Sequence, residues 1–274
     1  MLPTTWNPSR EAVLTVARAA ERLGFDSVWT NSHVAVPAAF KPRYPYSETG
    51  LPAWSATTPW ADALLMLSFA AAVTERIRLG VTVIPLITTD PLTLAKQAAT
   101  LDVLSGGRFE LGVGAGWLVE EGRALGRPTD HRQERLAETL DVLRLAWTRP
   151  TLTYEGRFLR IPEVGVHPHP PQGKRLPVWI GGQGDGAIRI AAEHGAGLFV
   201  WIQPPERVAE YGRSLRARRA DAPLAASIWT PLAERLWDEQ VRPMEQAGVD
   251  LLVLGRRYDD KTVSELERFA GAFF

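Results

Sequence analysis

The feature that most limits the folds open to this chain is a rhythm. Short apolar runs alternate with segments whose apolar residues recur at helical spacing, from about residue 25 onward. Phe25 to Trp29, Ile77 to Ile84, Phe109 to Val113 and Pro177 to Ile180 read as strands, and so do Gly197 to Trp201, Leu224 to Trp229 and Asp250 to Leu254. Between them, Trp60 to Thr74, Pro91 to Leu104, a segment striped by Leu136, Leu140, Leu143 and Trp147, Ala187 to His194, Glu206 to Arg219, Ala233 to Gln246 and Thr262 to Phe273 read as helices. Strands that each lead into a helix pair in parallel through right-handed crossovers.

Seven such strands are one short of a closed (β/α)8 TIM barrel, so the first strand, expected before residue 7, is either very short here or missing. An open doubly wound sheet is the competing arrangement. Asn7-Pro8 is the expected start of the first helix and Gly24 its stop. Leu152 to Pro171 breaks the rhythm with several Pro and two His, and reads as an insertion. Residues 1–274 are expected to form one domain, since this length is ordinary for a single barrel.

Lys plus Arg number 31 and so do Asp plus Glu, so no net field draws the chain to nucleic acid or an anionic membrane. A small-molecule partner is expected instead. There is no cysteine, which removes thiolate nucleophiles and thiolate metal ligands and suits a reducing compartment. No leader-like or membrane-length apolar run is visible, so a cytoplasmic protein is expected.

Specific strings then appear: Glu75-Arg76-Ile77-Arg78-Leu79-Gly80, Ala95-Lys96-Gln97-Ala98-Ala99-Thr100-Leu101-Asp102, and Ser105-Gly106-Gly107-Arg108 running into Phe109-Glu110-Leu111-Gly112-Val113-Gly114-Ala115-Gly116-Trp117. With Pro177-Val178-Trp179-Ile180-Gly181-Gly182, they resemble the bacterial luciferase-like superfamily, and within it the oxidoreductases that use the deazaflavin coenzyme F420. The resemblance spans roughly Leu14 to Leu254. It implies a barrel with its cofactor across the C-terminal ends of the strands, a homodimer, and a separate reductase supplying reduced cofactor. It also implies a non-proline cis peptide at Thr82-Val83, backing the cofactor ring.

Gly181-Gly182-Gln183 lies between a strand and a helix, where bare N–H groups can hold a phosphate; the bland alternative is an ordinary tight turn. Gly114 and Gly116 end a strand in the same way and leave room for a flat ring, without completing a dinucleotide fingerprint. His33, with Ser32 beside it, is the acid-base candidate, because imidazole exchanges protons near neutrality. Relatives commonly carry Asp-His where this chain has Ser32-His33, and the related sugar-phosphate dehydrogenases have an acidic Glu where Trp117 stands. Trp29, Tyr46 and Trp117 are placed on the substrate side, the first two within an aromatic cluster around the long second connection that also includes Tyr44, Trp54 and Trp60.

Glu120 and Glu121 read as solvated charge in a first helical turn. His167 and His169, flanked by Pro, read as loop residues, and no metal is expected. The activity this reading points to is hydride transfer between F420 and a small organic substrate. An FMN-dependent monooxygenase and a non-catalytic ligand-binding barrel are the alternatives.

Overall fold

A computed structural model describes residues 1–5, 8–39, 44–47, 49–229, 237–255 and 257–274. Its helices are α1 (Arg10–Arg22), α2 (Ala63–Ala71), α3 (Pro91–Leu104), α4 (Val119–Ala124), α5 (Arg132–Thr148), α6 (Asp185–Glu193), α7 (Pro205–Arg218), α8 (Arg242–Gln246) and α9 (Thr262–Phe273). Seven parallel strands curl into a nearly closed barrel: β1 (Ser27–Thr30), β2 (Arg78–Pro85), β3 (Phe109–Gly114), β6 (Val178–Gly181), β7 (Gly197–Trp201), β8 (Leu224–Trp229) and β9 (Leu251–Gly255), in that order. The expected insertion contains an antiparallel hairpin, β4 (Leu152–Glu155) with β5 (Arg160–Val164), fastened to α5 where Glu138 accepts the N–H groups of Arg157, Phe158 and Leu159.

Local chemistry sets the element ends. The Ser9 hydroxyl accepts from Ala12 N at 3.1 Å and caps α1, so the helix begins later than Asn7-Pro8; Asn7 lies outside the described residues. The helix expected over Trp60 to Thr74 is shorter, because Asp62 caps α2 through Leu65 N and Trp60 instead pairs with Thr5 in an isolated antiparallel bridge. Of the helix expected over Ala233 to Gln246, residues 230–236 lie outside the described set, and the remainder is a π-helical turn, Trp237–Val241, running into α8.

Side chains alternate between two layers, as strand geometry requires. Outward residues such as Leu79, Leu111, Val113 and Ile180 pack under the helices. Inward residues Trp29, Trp179, Phe199, Ala225 and Val253 fill the barrel, with the rings of Trp29 and Trp179 edge to face at 6.2 Å. Room for these rings comes from glycine on neighbouring strands. A Cβ on Gly80 would lie 2.4 Å from Trp29, one on Gly197 2.4 Å from Trp179, and one on Gly255 2.5 Å from Trp229. Glu110 also points inward; it is satisfied by Trp179 Nε1 at 2.6 Å and an ion pair with Arg78.

No first strand forms among the described residues. Met1 and Leu2 lie at the seam, where Met1 N donates to Leu254 O at 2.6 Å and Leu2 N to Trp29 O at 2.8 Å. No helix among the described residues is long and apolar enough to cross a membrane. Gly80→Ala is expected to overpack the barrel and lower the unfolding free energy by about 1–3 kcal/mol in urea titration, whereas an alanine at Gly271, whose Cβ meets nothing within 4 Å, brings no such overpacking.

Candidate functional site

The carboxyl ends of the strands open into a cavity of about 930 Å³, the position at which parallel barrels gather loops from different strands. His33, Trp54, Trp60, Trp117, Tyr44 and Tyr46 form one wall. The His33 ring lies 4.7 Å from Trp60 and 5.3 Å from Trp54, and Tyr44 packs edge-on against Trp117 at 5.3 Å. Of the aromatic cluster expected from sequence, Tyr44, Tyr46, Trp54 and Trp60 form a single surface with Trp117, and Trp201 and Trp229 are added from the ends of β7 and β8.

His33 is held by a residue that the sequence reading set aside. Glu121 is fully buried; its Oε2 lies 2.7 Å from His33 Nδ1, and its Oε1 accepts Val34 N at 2.7 Å and Ala35 N at 3.1 Å. A carboxylate only accepts, so with Glu121 as carboxylate it is Nδ1 that donates across this contact, and Nε2 is the ring nitrogen turned away from it. The reading of Glu121 as solvated helix charge is thus wrong. The loop after β1 folds over α4 and desolvates it, an approach between segments far apart in sequence.

Trp29 is also corrected. It is 1% exposed beneath the cavity, with its Nε1 bonded to Ser27 Oγ at 2.8 Å, so it is barrel filling and not a substrate contact. Ser32 lines the cavity beside His33. The Thr82–Val83 peptide is cis, as the resemblance implied, and both residues line the cavity at a register shift between β2 and β3. Gly114 and Gly181 do leave room, yet Val83 takes it: a Cβ on either glycine would lie within 3.0 Å of that side chain. Gly116, at φ 82, packs against Ile87.

Gly181-Gly182 leads into α6 as expected. Gly182 N is bonded to Phe199 O, and the Gln183 amide is turned to Trp201 O at 2.6 Å, so the Gln183 side chain is committed to the fold. Its main-chain N–H and that of Gly184, the α6 N-cap, have no acceptor among the described residues. Gln133 lies against Gly186 in the first turn of α6, and its Oε1 is buried without a partner. Asn31 Oδ1 and Trp60 Nε1 are likewise buried and unpartnered, and all three residues line the cavity. Trp60 Nε1 offers a donor and Asn31 Oδ1 and Gln133 Oε1 offer acceptors, so a polar ligand with groups of both kinds would satisfy them. Ile202, also in the lining, has φ 43, a conformation costly for a β-branched residue and typical of ligand sites.

His167 and His169 point their Nε2 atoms at Pro150 O and Arg149 O, both at 3.0 Å, which is the loop role expected of them. No group of three or more His, Cys, Asp or Glu suited to a metal occurs among the described residues.

Burial pushes the Tyr46 phenol up to about 12, with neighbouring Tyr44 adding to the shift, so both rings present neutral phenols. A phenol raised in the folded state keeps its contribution below the unfolded value near 10 and loses it as pH climbs through about 12. Tyr46→Phe should therefore flatten part of the stability loss between those two pH values in stepped urea titrations. Glu121→Ala should cost about 2 kcal/mol or more, because it strands buried donors; Glu121→Gln, which keeps an acceptor for Val34 and Ala35, should cost less in the same assay.

The model of the family described as luciferase-like monooxygenase matches residues 3–233. An uncharacterized protein of Mycobacterium tuberculosis is 36% identical over 172 residues, which is 61% of this chain and 59% of the relative. An F420-dependent glucose-6-phosphate dehydrogenase of Kineococcus radiotolerans is 30% identical over 185 residues, 66% of this chain and 49% of that enzyme. The match therefore spans about half to three fifths of the length of these relatives. In fold it is similar to an F420-dependent secondary alcohol dehydrogenase, with a TM-score of 0.76 and 18% identity over 97% of this chain and 94% of that one. The family match runs through six of the seven parallel strands and takes in His33, Thr82, Glu121 and Gly182, and so the chain belongs to the luciferase-like monooxygenase family.

Proposed function

We propose that this chain is an oxidoreductase that exchanges a hydride between a bound deazaflavin, F420, and a small organic substrate, with His33 moving the accompanying proton. The observation that carries the reading is the Glu121–His33 pair, with His33 lining a cavity that is also lined by Thr82, Val83 and the Gly181-Gly182 turn leading into α6. The F420-dependent relatives and fold neighbours support it.

When bound, the deazaflavin supplies the two-electron chemistry. The N–H groups of Gln183 and Gly184 and the positive end of α6 would hold its phosphate, and Thr82 and Val83 would lie against its ring. Glu121 orients the His33 ring and fixes which nitrogen is protonated; Nε2 then accepts the proton of an alcohol, or returns it to a carbonyl in the reverse direction. Trp54, Trp60 and Trp117 exclude water around that nitrogen and select a flat or apolar substrate. Trp117 brings no acid to the site, so the proton rests with His33.

Titration of the purified protein with F420 and with FMN tests the reading. F420 is expected to bind more tightly; preference for FMN would favour the oxygen-dependent monooxygenase, and binding of neither would leave a non-catalytic barrel. FMN should in turn bind at least about tenfold more tightly than riboflavin if the α6 cradle takes a phosphate. With a substrate in hand, His33→Ala should retain F420 affinity and lose roughly 10²- to 10⁴-fold in turnover.

A further inference from the structure

An unbroken run of rings leads away from His33 along the cavity wall. Trp60 stands 4.7 Å from the imidazole at 81°, with Trp54 at 5.3 Å and Trp117 at 6.4 Å. Trp54 also meets Trp60 at 88°, and Tyr44 meets both Trp54, at 5.8 Å, and Trp117, at 5.3 Å. Tyr46 then joins Tyr44 to Trp201 at the end of β7. All of these side chains line the same cavity. His33 stands at one end of the run, with Nε2 the ring nitrogen turned away from Glu121.

What such a wall can satisfy is narrow. An indole N–H only donates, so it gives nothing to the hydrogen of a substrate hydroxyl. Burial keeps Tyr44 and Tyr46 as neutral phenols. Among the described residues no carboxylate, Lys or Arg belongs to the run; those that line the cavity, Arg132, Glu134 and Arg257, stand in the first turn of α5 and after β9. A polyol laid on the rings would leave hydroxyl hydrogens unpaired, each weakening binding roughly fivefold or more, and the run itself offers a phosphate no cation. A π-system is a different guest. Neighbouring rings here stand near right angles, so a flat ring on this wall meets both faces and edges, which favours it over a saturated ring of equal size. An oxygen within reach of His33 Nε2 puts the carbon that bears it against the indoles around His33, so the group attached to that carbon is the one that meets the rings.

We propose that the substrate is an aryl carbinol, or the aryl ketone or aldehyde it interconverts with, its ring laid along the wall from Trp60 to Tyr44; this rests on the oxidoreductase reading above. In the oxidation the hydroxyl proton passes to His33 Nε2, the carbinol hydrogen leaves with its electron pair as hydride to the oxidised deazaflavin, and the C–O bond becomes C=O. Reduction reverses each transfer. Trp54 and Trp117 set the preference for the aryl group, and neither exchanges a proton or a hydride.

The experiment titrates acetophenone, cyclohexyl methyl ketone and glucose 6-phosphate into the cofactor-free protein and follows the indole N–H resonances by NMR. Acetophenone is expected to bind about fivefold more tightly than the saturated ketone, and glucose 6-phosphate to leave the Trp54, Trp60 and Trp117 resonances unmoved. In Trp54→Leu and in Trp117→Leu the gap between the two ketones should narrow. Equal affinity of the two ketones for the unaltered protein, no binding of either, or displacement of those resonances by glucose 6-phosphate would overturn the proposal. Turnover with reduced F420 then separates the two claims. If neither ketone is reduced, the oxidoreductase reading falls while the aryl seat still stands on the titrations; if the saturated ketone is reduced as fast as acetophenone, the aryl assignment falls and the oxidoreductase reading stands.

Discussion

The fit of indole rings over bare backbone inside the barrel is the constraint on which the rest depends. A parallel barrel of this size is a packed core and not a pore, and here large rings on some strands require glycine on others: Trp29 over Gly80 and Trp179 over Gly197. This pairing sets how far up the barrel the filling reaches. Above Phe199 and Trp179, the inward positions of β3 and β6 are Gly114 and Gly181, and the Val83 side chain lies over both. The floor of the cavity is therefore formed by the top of the core.

On that floor a single carboxylate organises the chemistry. Glu121 comes from a helix of six residues with no capping side chain of its own, and it accepts three hydrogen bonds from the loop after β1. Each partner pins the other. The loop excludes water from Glu121, and Glu121 holds His33 with Nε2 available among three tryptophans. A buried carboxylate that satisfies an imidazole and two main-chain donors leaves no alternative hydrogen-bonding arrangement of similar energy, so the orientation is set before any ligand arrives.

Most of the barrel was legible in the residues because its signals are local. Periodicity and turn chemistry marked Pro91–Leu104, Gly197–Trp201 and Thr262–Phe273 to the residue, and the Gly181-Gly182 turn stands where a strand meets a helix. The misses share one cause. Trp60 left its expected helix to bridge Thr5 and face His33; Trp29 went beneath the cavity and not into it; Glu121 became buried through a loop more than eighty positions away. Each outcome depends on which distant segment covers a side chain, and no window of sequence contains that segment.

By itself, then, the sequence determined the alternation of strand and helix, the parallel sense of seven strands, the aromatic character of one connection, and the presence of an imidazole there. All of these follow from backbone periodicity and residue chemistry acting over a few neighbours. The tertiary structure alone decided that Glu121 is the partner of His33, that the room beside Gly114 and Gly181 belongs to Val83, and that Met1 and Leu2 bridge the seam between β9 and β1. Those are contacts between residues distant in the chain, and burial, which gives a carboxylate or a strand edge its meaning, exists only once the barrel has brought them together.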